Sequence, residues 1–221
     1  MAHPSPVSEV VVKLMYAPTS PFVRRARAVA IELGLEGRLE LEPVQVAPGR
    51  PNAEYAESVN PLRKIPALVL DDGATVLVDS SVICQYLDDL AGGGRVIPMG
   101  ADRWRILSQQ AIALGMTDAM VLIRYETSLR PDALRWPEYI VDQQDRFWAG
   151  LEWFERRAEH ALSVPEGPVD VSQLALACCL GYVDFRFPDL GWPTRAARVS
   201  RWYQTMLRRP SLAQTDPRLA A

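Results

Sequence analysis

The segment Thr19-Ser20-Pro21-Phe22 puts two hydroxyl side chains and a proline directly before an apolar periodic run that reads as a helix. Ser20 would then stand at the helix N-terminus, where the first backbone N–H groups lack partners and the helix dipole favours negative charge. A hydroxyl in that place can accept a hydrogen bond from the backbone as a cap, or donate one to a bound anion. On these residues alone both readings stay open. Other chemistry-bearing groups are sparse. The three cysteines, Cys84, Cys178 and Cys179, show no Cys-x-x-Cys spacing. Each falls in an apolar helical run, so core packing is expected of them rather than nucleophilic attack. The two histidines, His3 and His160, have no ligand partners at a useful spacing, and no metal is expected.

Those residues need elements to hold them. The run 9–16 is rich in valine and suits a buried strand. The helix after it carries Phe22, Ala26, Val29, Ala30 and Leu33 on one face, and Gly34 is a plausible stop. The run 38–46 alternates like a half-exposed strand, and 51–59 reads as a short helix. A hairpin follows over 66–78, with Asp72-Gly73 supplying the positive φ angles of a tight turn. The run from Ser80 to Leu90 returns to helix, with Ser80 as its N-cap. The order to this point is β-α-β-α-β-β-α.

Beyond the glycine-rich stretch 92–100 nothing reads as a strand. Long helices are expected over 101–129 and 136–162, separated by the breaker 130–137, with a fourth helical run near 195–208. The run 170–185 is nearly all apolar and should be buried on every side. Asp170 and Gln173 have the spacing of a capping box at its start. The expected architecture is a small α/β domain, 1–91, a linker, 92–100, and an all-helical domain, 101–221.

Composition limits the functional classes. The chain has 221 residues, ample for a sizeable core, with 48% hydrophobic and 23% charged residues. A net charge of −3 argues against nucleic acid as the main partner. No apolar run is expected to approach the roughly 18 residues needed to cross a bilayer. The first fourteen residues lack the basic and apolar segments of a secretory signal. With unpaired cysteines as well, a reduced, cytoplasmic setting is expected.

Taken together, SPFVRRARAVAIELGL, NPLRKIPALVLDDG, LVDSSVICQYLDDL and the capped apolar helix at 170–185 occur in an order and spacing that resembles glutathione transferases. The resemblance covers most of the chain, from about Glu9 to Pro210, and is strongest to bacterial members sharing features with the tau and omega classes. It implies a thioredoxin-like N-terminal domain that binds glutathione and a helical domain that supplies a second-substrate pocket.

The resemblance also assigns roles. Ser20 stands where the similar classes carry a Ser or Cys and would hold the glutathione thiolate, with Thr19 and Tyr16 as competitors for that contact. A free thiol has a pKa of roughly 8.5, so it needs such help near neutral pH. The segment 20–23, Ser-Pro-Phe-Val, occupies the place of the Cys-Pro-x-Cys site of glutaredoxins. With both sulfurs replaced, disulfide exchange is not expected. Phe22 belongs to the same motif. In Lys64-Ile65-Pro66 a cis proline would leave the Ile65 backbone free to pair with the cysteinyl backbone, and Lys64 could reach the glycyl carboxylate. Asp79 suits the γ-glutamyl amine and Ser80 its carboxylate. Tyr16, Met116, Met120, Arg124 and Tyr125 are candidate linings of the second pocket. The expected activity is conjugation of glutathione, as cosubstrate, to a small electrophile by a homodimer with no nucleic-acid or membrane partner. The alternatives are a glutathione-dependent isomerase and a noncatalytic binding or interaction protein.

Overall fold

The structure is a computed structural model that describes residues 11–162 and 167–220. His3, the leading segment and the first residues of the 9–16 run lie outside that range. The N-terminal half comprises β1 (Val12–Tyr16), α1 (Pro21–Glu32), β2 (Leu39–Pro43), α2 (Ala53–Ser58), β3 (Ala67–Val69), β4 (Val76–Leu77) and α3 (Ser80–Leu90). The sheet order is β2-β1-β3-β4, with β1 parallel to β2 and antiparallel to β3. Side chains alternate across this sheet as the pleat requires. Leu14 and Leu68, paired in register, join the main core with α1 and α3. Met15 and Ala67, the neighbouring pair, close a smaller cluster around Tyr55 of α2. The result is a thioredoxin-like sheet with helices on both faces.

Helices α4 (Asp102–Ser128), α5 (Pro137–Arg156), α6 (Ala158–Ala161), α7 (Val171–Arg186), α8 (Trp192–Arg195), α9 (Ala197–Met206) and α10 (Pro210–Ala213) make up the rest. Helix α7 is buried from Val171 to Val183 without interruption, as its composition predicts. The Asp170–Gln173 capping box is formed, with both reciprocal bonds present. Helix α4 is long and apolar enough to cross a membrane by length and composition, and half of that stretch is buried inside the protein. Contact with α5 and α7 accounts for much of its apolarity.

Several local expectations are corrected. The expected 136–162 helix breaks at Arg157, whose φ of −110° and ψ of 15° leave the helical region. The expected 195–208 helix is divided at Ala196 in the same way. Strand β2 ends at Pro43, although the Val44 N–H still reaches the Tyr16 carbonyl at 2.8 Å. In the hairpin only Gly73 takes a positive φ, 67°. Asp72 instead binds the turn with its carboxylate, accepting from the N–H groups of Ala74 and Thr75 at 2.9 and 2.7 Å. Helix α1 is covered on nearly every side rather than on one face, because α3, α7 and α10 all contact it.

The glycine-rich stretch 92–100 is a packed joint. Asp88, at the end of α3, is buried and accepts the N–H groups of Gly94, Arg95 and Val96 at 2.8 to 3.0 Å. Val96 and Ile97 then enter the core, and the Val96 carbonyl accepts from Val171 at the start of α7. One core runs through both halves.

Candidate functional site

The pairing of Met15 with Ala67 sets the end of β1 beside the start of β3, so the β1–α1 loop and the 64–66 segment share one end of the sheet. Ser20 is the N-cap of α1, extended at φ −78° and ψ 123°. Its Oγ accepts from the Val23 N–H at 3.4 Å, a long and weak cap. Pro21 brings no N–H of its own and presets the first turn. The Ser20 hydroxyl proton has no acceptor among the described residues. Capping and donation to an anion are therefore compatible here. Thr19 and Phe22 flank it, both half-buried, and Tyr16 ends β1 packed partly against the core.

The Ile65–Pro66 bond is cis, as the motif implies. What holds that segment was not singled out from sequence. The Lys64 carbonyl accepts from the Tyr55 hydroxyl and the Asn60 amide, both at 2.8 Å, and Asn60 is buried. Asn60 also accepts from the Leu62 N–H at 3.0 Å, which closes the loop before the proline. The signal was present as Asn-Pro at 60–61, a turn-forming pair. The Lys64 side chain itself is exposed.

At α3 the expected cap shifts by one residue. Asp79, not Ser80, is the N-cap, and its carboxylate accepts the Ser81 N–H at 2.7 Å. Ser80 is the first helical residue and is buried. Its Oγ accepts from Nη2 of Arg25 at 2.7 Å, and the same nitrogen reaches the Ser81 Oγ at 3.2 Å. A further carboxyl belongs to this neighbourhood. Burial pushes Asp118 of α4 up from the ordinary carboxylate range; nearby Lys64 opposes that, the Asp79 charge adds to it, and Arg25 opposes it. Thus α4 presents an acidic group to the face that carries Lys64 and Asp79.

The cysteines stay out of the chemistry. All are buried, and burial pushes Cys178 up to about 11 and Cys179 up to about 12, so they remain thiols at neutral pH.

The candidate second pocket differs from expectation. Met116 and Met120 are 2% and 0% exposed, inside the helical core. Met116 fills the space over Gly150 of α5, where a Cβ would come within 2.4 Å of its Cγ. Arg124 lies along α4 and donates to Ser128 one turn on. A groove of about 860 Å³ opens between Pro48-Gly49 and the far end of α4. Leu122, Tyr125, Leu129 and Trp136 line it, and of the named candidates only Tyr125 takes part. Trp136 stacks on Tyr139 at 5.9 Å, and its N–H donates to Glu126 at 2.9 Å, which together fix the wall. That backbone bond is the main reason the Glu126 carboxyl is held below its usual range, and the Arg130 guanidinium at 2.8 Å adds to it against some burial.

Comparison with known proteins agrees with this architecture. Residues 14–95 match the glutathione S-transferase N-terminal domain, and residues 109–205 match the glutathione S-transferase C-terminal domain. A glutathione transferase family member from Pseudomonas fluorescens Pf-5, solved with bound glutathione, is 38% identical. The similarity covers 93% of this chain and 98% of that one, with a TM-score of 0.87. A structure from the same organism with bound S-(propanoic acid)-glutathione is 37% identical over 93% and 99% of the two chains, with a TM-score of 0.81. The uncharacterized GST-like protein YibF of Escherichia coli strain K12 is 26% identical over 206 residues, 93% of this chain and 98% of its own. The sheet, the helical half and the motifs that join them place this chain in the glutathione transferase family.

Proposed function

We propose that this protein binds reduced glutathione along the edge formed by the α1 N-terminus, the 64–66 segment and the α3 N-terminus, and ionises its thiol for attack on a small electrophile. The observation that carries the reading is the Ser20 hydroxyl, which caps α1 weakly and keeps its own proton free to donate. A thiolate there gains that hydrogen bond and the field of the helix terminus, both of which favour ionisation near neutral pH. The Ile65 backbone, held by the Tyr55 and Asn60 bonds to Lys64, pairs with the cysteinyl residue. Lys64 offers charge to the glycyl carboxylate, Asp79 takes the γ-glutamyl amine, and Ser80 with Ser81 takes the γ-glutamyl carboxylate. Phe22 packs beside the thiol. The sulfur lone pair then forms a bond to the electrophilic carbon, and the displaced group or the added electrophile takes up the electron pair.

Support for this reading comes from the glutathione-bound relative, and from the relative whose bound glutathione carries a propanoic acid on sulfur. The aromatic groove at the end of α4 offers room for the organic part of an electrophile. The working form is a homodimer in the cytoplasm, the latter consistent with three unpaired thiols. Titration calorimetry with reduced glutathione, followed by a screen of electrophiles, tests the proposal. Absence of glutathione binding refutes it. Binding without turnover of any electrophile refutes the catalytic part and assigns a noncatalytic binding role. Sedimentation showing a monomer at micromolar concentration removes the dimer.

A further inference from the structure

Arg25 lies on α1 and is 1% exposed, yet its guanidinium forms no ion pair among the described residues. Arginine remains charged even when buried, and a cation without a counter-ion in the interior is costly. Nη2 donates to the hydroxyls of Ser80 and Ser81, while Nε and Nη1 are buried with no partner among the described residues. Both serines sit in the first turn of the eleven-residue helix α3. The N–H groups of Ser80 and Val82 likewise have no acceptor among the described residues. The other charges that face this place are Asp79, Asp118 and Lys64. Asp79 and Asp118 are acidic and suit an ammonium group, and Lys64 is the charge proposed for the glycyl carboxylate.

We infer that Arg25 is a positioning residue that makes the α3 N-terminus selective for a free carboxylate, acting through the Ser80 and Ser81 hydroxyls. The inference rests on the reading of that terminus as the seat of the γ-glutamyl end of glutathione. A hydroxyl that accepts from a guanidinium is polarised to donate outward more strongly. Ser80 and Ser81 thereby turn two protons and a buried positive charge towards the γ-glutamyl carboxylate. The adjacent ammonium faces Asp79 and Asp118. A zwitterionic end is thus read by one buried cation and two acidic side chains.

The test compares reduced glutathione with γ-aminobutyryl-cysteinyl-glycine, the same peptide without the γ-glutamyl carboxylate, by titration calorimetry. Wild type should prefer glutathione by about tenfold or more, the strength of one charge-assisted hydrogen bond. Arg25→Met should lose about ten- to a hundredfold in glutathione affinity while its affinity for the analogue stays the same. Its ligand-free melting temperature should be equal or higher, because an uncompensated buried charge has been removed. Ser81→Ala, less buried, carries the same test with less disturbance if Arg25→Met does not fold, and should lose severalfold for glutathione alone. Equal losses for both ligands, or no loss for either, overturn the inference and leave the glutathione reading intact. Failure of wild type to bind glutathione overturns both.

Discussion

Replacing Ser20 by alanine separates the two things its hydroxyl can do. As a cap it accepts from Val23 at 3.4 Å, near the limit of a hydrogen bond, so the stability lost should lie at the low end, about 0.5–1 kcal/mol. As a donor to thiolate it contributes a charge-assisted hydrogen bond, roughly 1.5–3 kcal/mol. Ser20→Ala should therefore slow conjugation near neutral pH by about ten- to a hundredfold. The sign with pH follows from what the bond favours. Its loss raises the pKa of the bound thiol, so the deficit is greatest below the wild-type value and shrinks as pH rises above that of the variant. Glutathione affinity should change much less, since the contacts proposed at the 64–66 segment and at α3 are untouched. The assay is the ultraviolet absorbance of bound thiolate titrated in both proteins, alongside the pH–rate profile. Coincident titration curves and equal rates would refute the argument and leave Ser20 a cap, with Thr19, Tyr16 or the bare helix terminus responsible for the thiolate.

The other predictions concern the frame. Glu32 of α1 accepts two bonds from Arg209, at 2.8 and 2.7 Å, and one from Ser211. Burial raises its carboxyl, but the Arg209 and Ser211 bonds outweigh that and the net direction is down. Glu32→Gln should cost about 2 kcal/mol, a melting shift of about 4–8 °C for a chain of this size. Because the folded pKa is lowered, this stabilisation is present above the ordinary glutamate value of about 4.3 and is lost as pH falls through the folded value. Wild type and variant should therefore converge in acid; an equal gap at all pH values contradicts the ion pair. The cysteines should resist a thiol reagent in the native protein at mildly alkaline pH and react fully in denaturant, since burial both shields them and keeps them protonated. Fast labelling of the native chain would show that one of them is accessible.

Period and capping made most of the elements legible. The valine-rich strand, the apolar run 170–185 and its Asp170–Gln173 box depend on local pattern, and the structure realises each of them. The cis bond before Pro66 came with the family motif rather than from any local pattern. Errors arose where a choice depends on what lies across the fold. Asp79 and Ser80 are equally good caps by type; Asp79 takes the cap while the Ser80 hydroxyl accepts from Arg25, a residue far away in sequence. Met116 and Met120 lie at helical spacing that suits a pocket or a core; both are in the core, where Met116 fills the space that Gly150 leaves on the facing helix. The groove wall at Trp136 depends on the α4–α5 turn, which carries no motif. Arg24 and Arg25, a charged pair near the start of α1 for which local pattern supplies no partner, are both buried, Arg24 against the 212–215 segment and Arg25 against α3.

The folded joint after α3 bears on how members of such a fold can be recombined. With Asp88 gathering three backbone N–H groups and Val96 bonded to the head of α7, the two halves have a fixed mutual angle and no slack between them. An N-terminal half grafted onto a foreign helical half would meet the wrong partners for Arg24, Glu32 and Val96 at once. Hybrids cut at the glycines should therefore melt far below either parent, whereas hybrids that carry α1, the joint, α7 and the 209–215 segment together should keep their cooperativity. With an electrophile in the groove as proposed, new substrate ranges would arise more readily by side-chain exchange at Leu122, Tyr125, Leu129 and Trp136 than by exchange of whole halves.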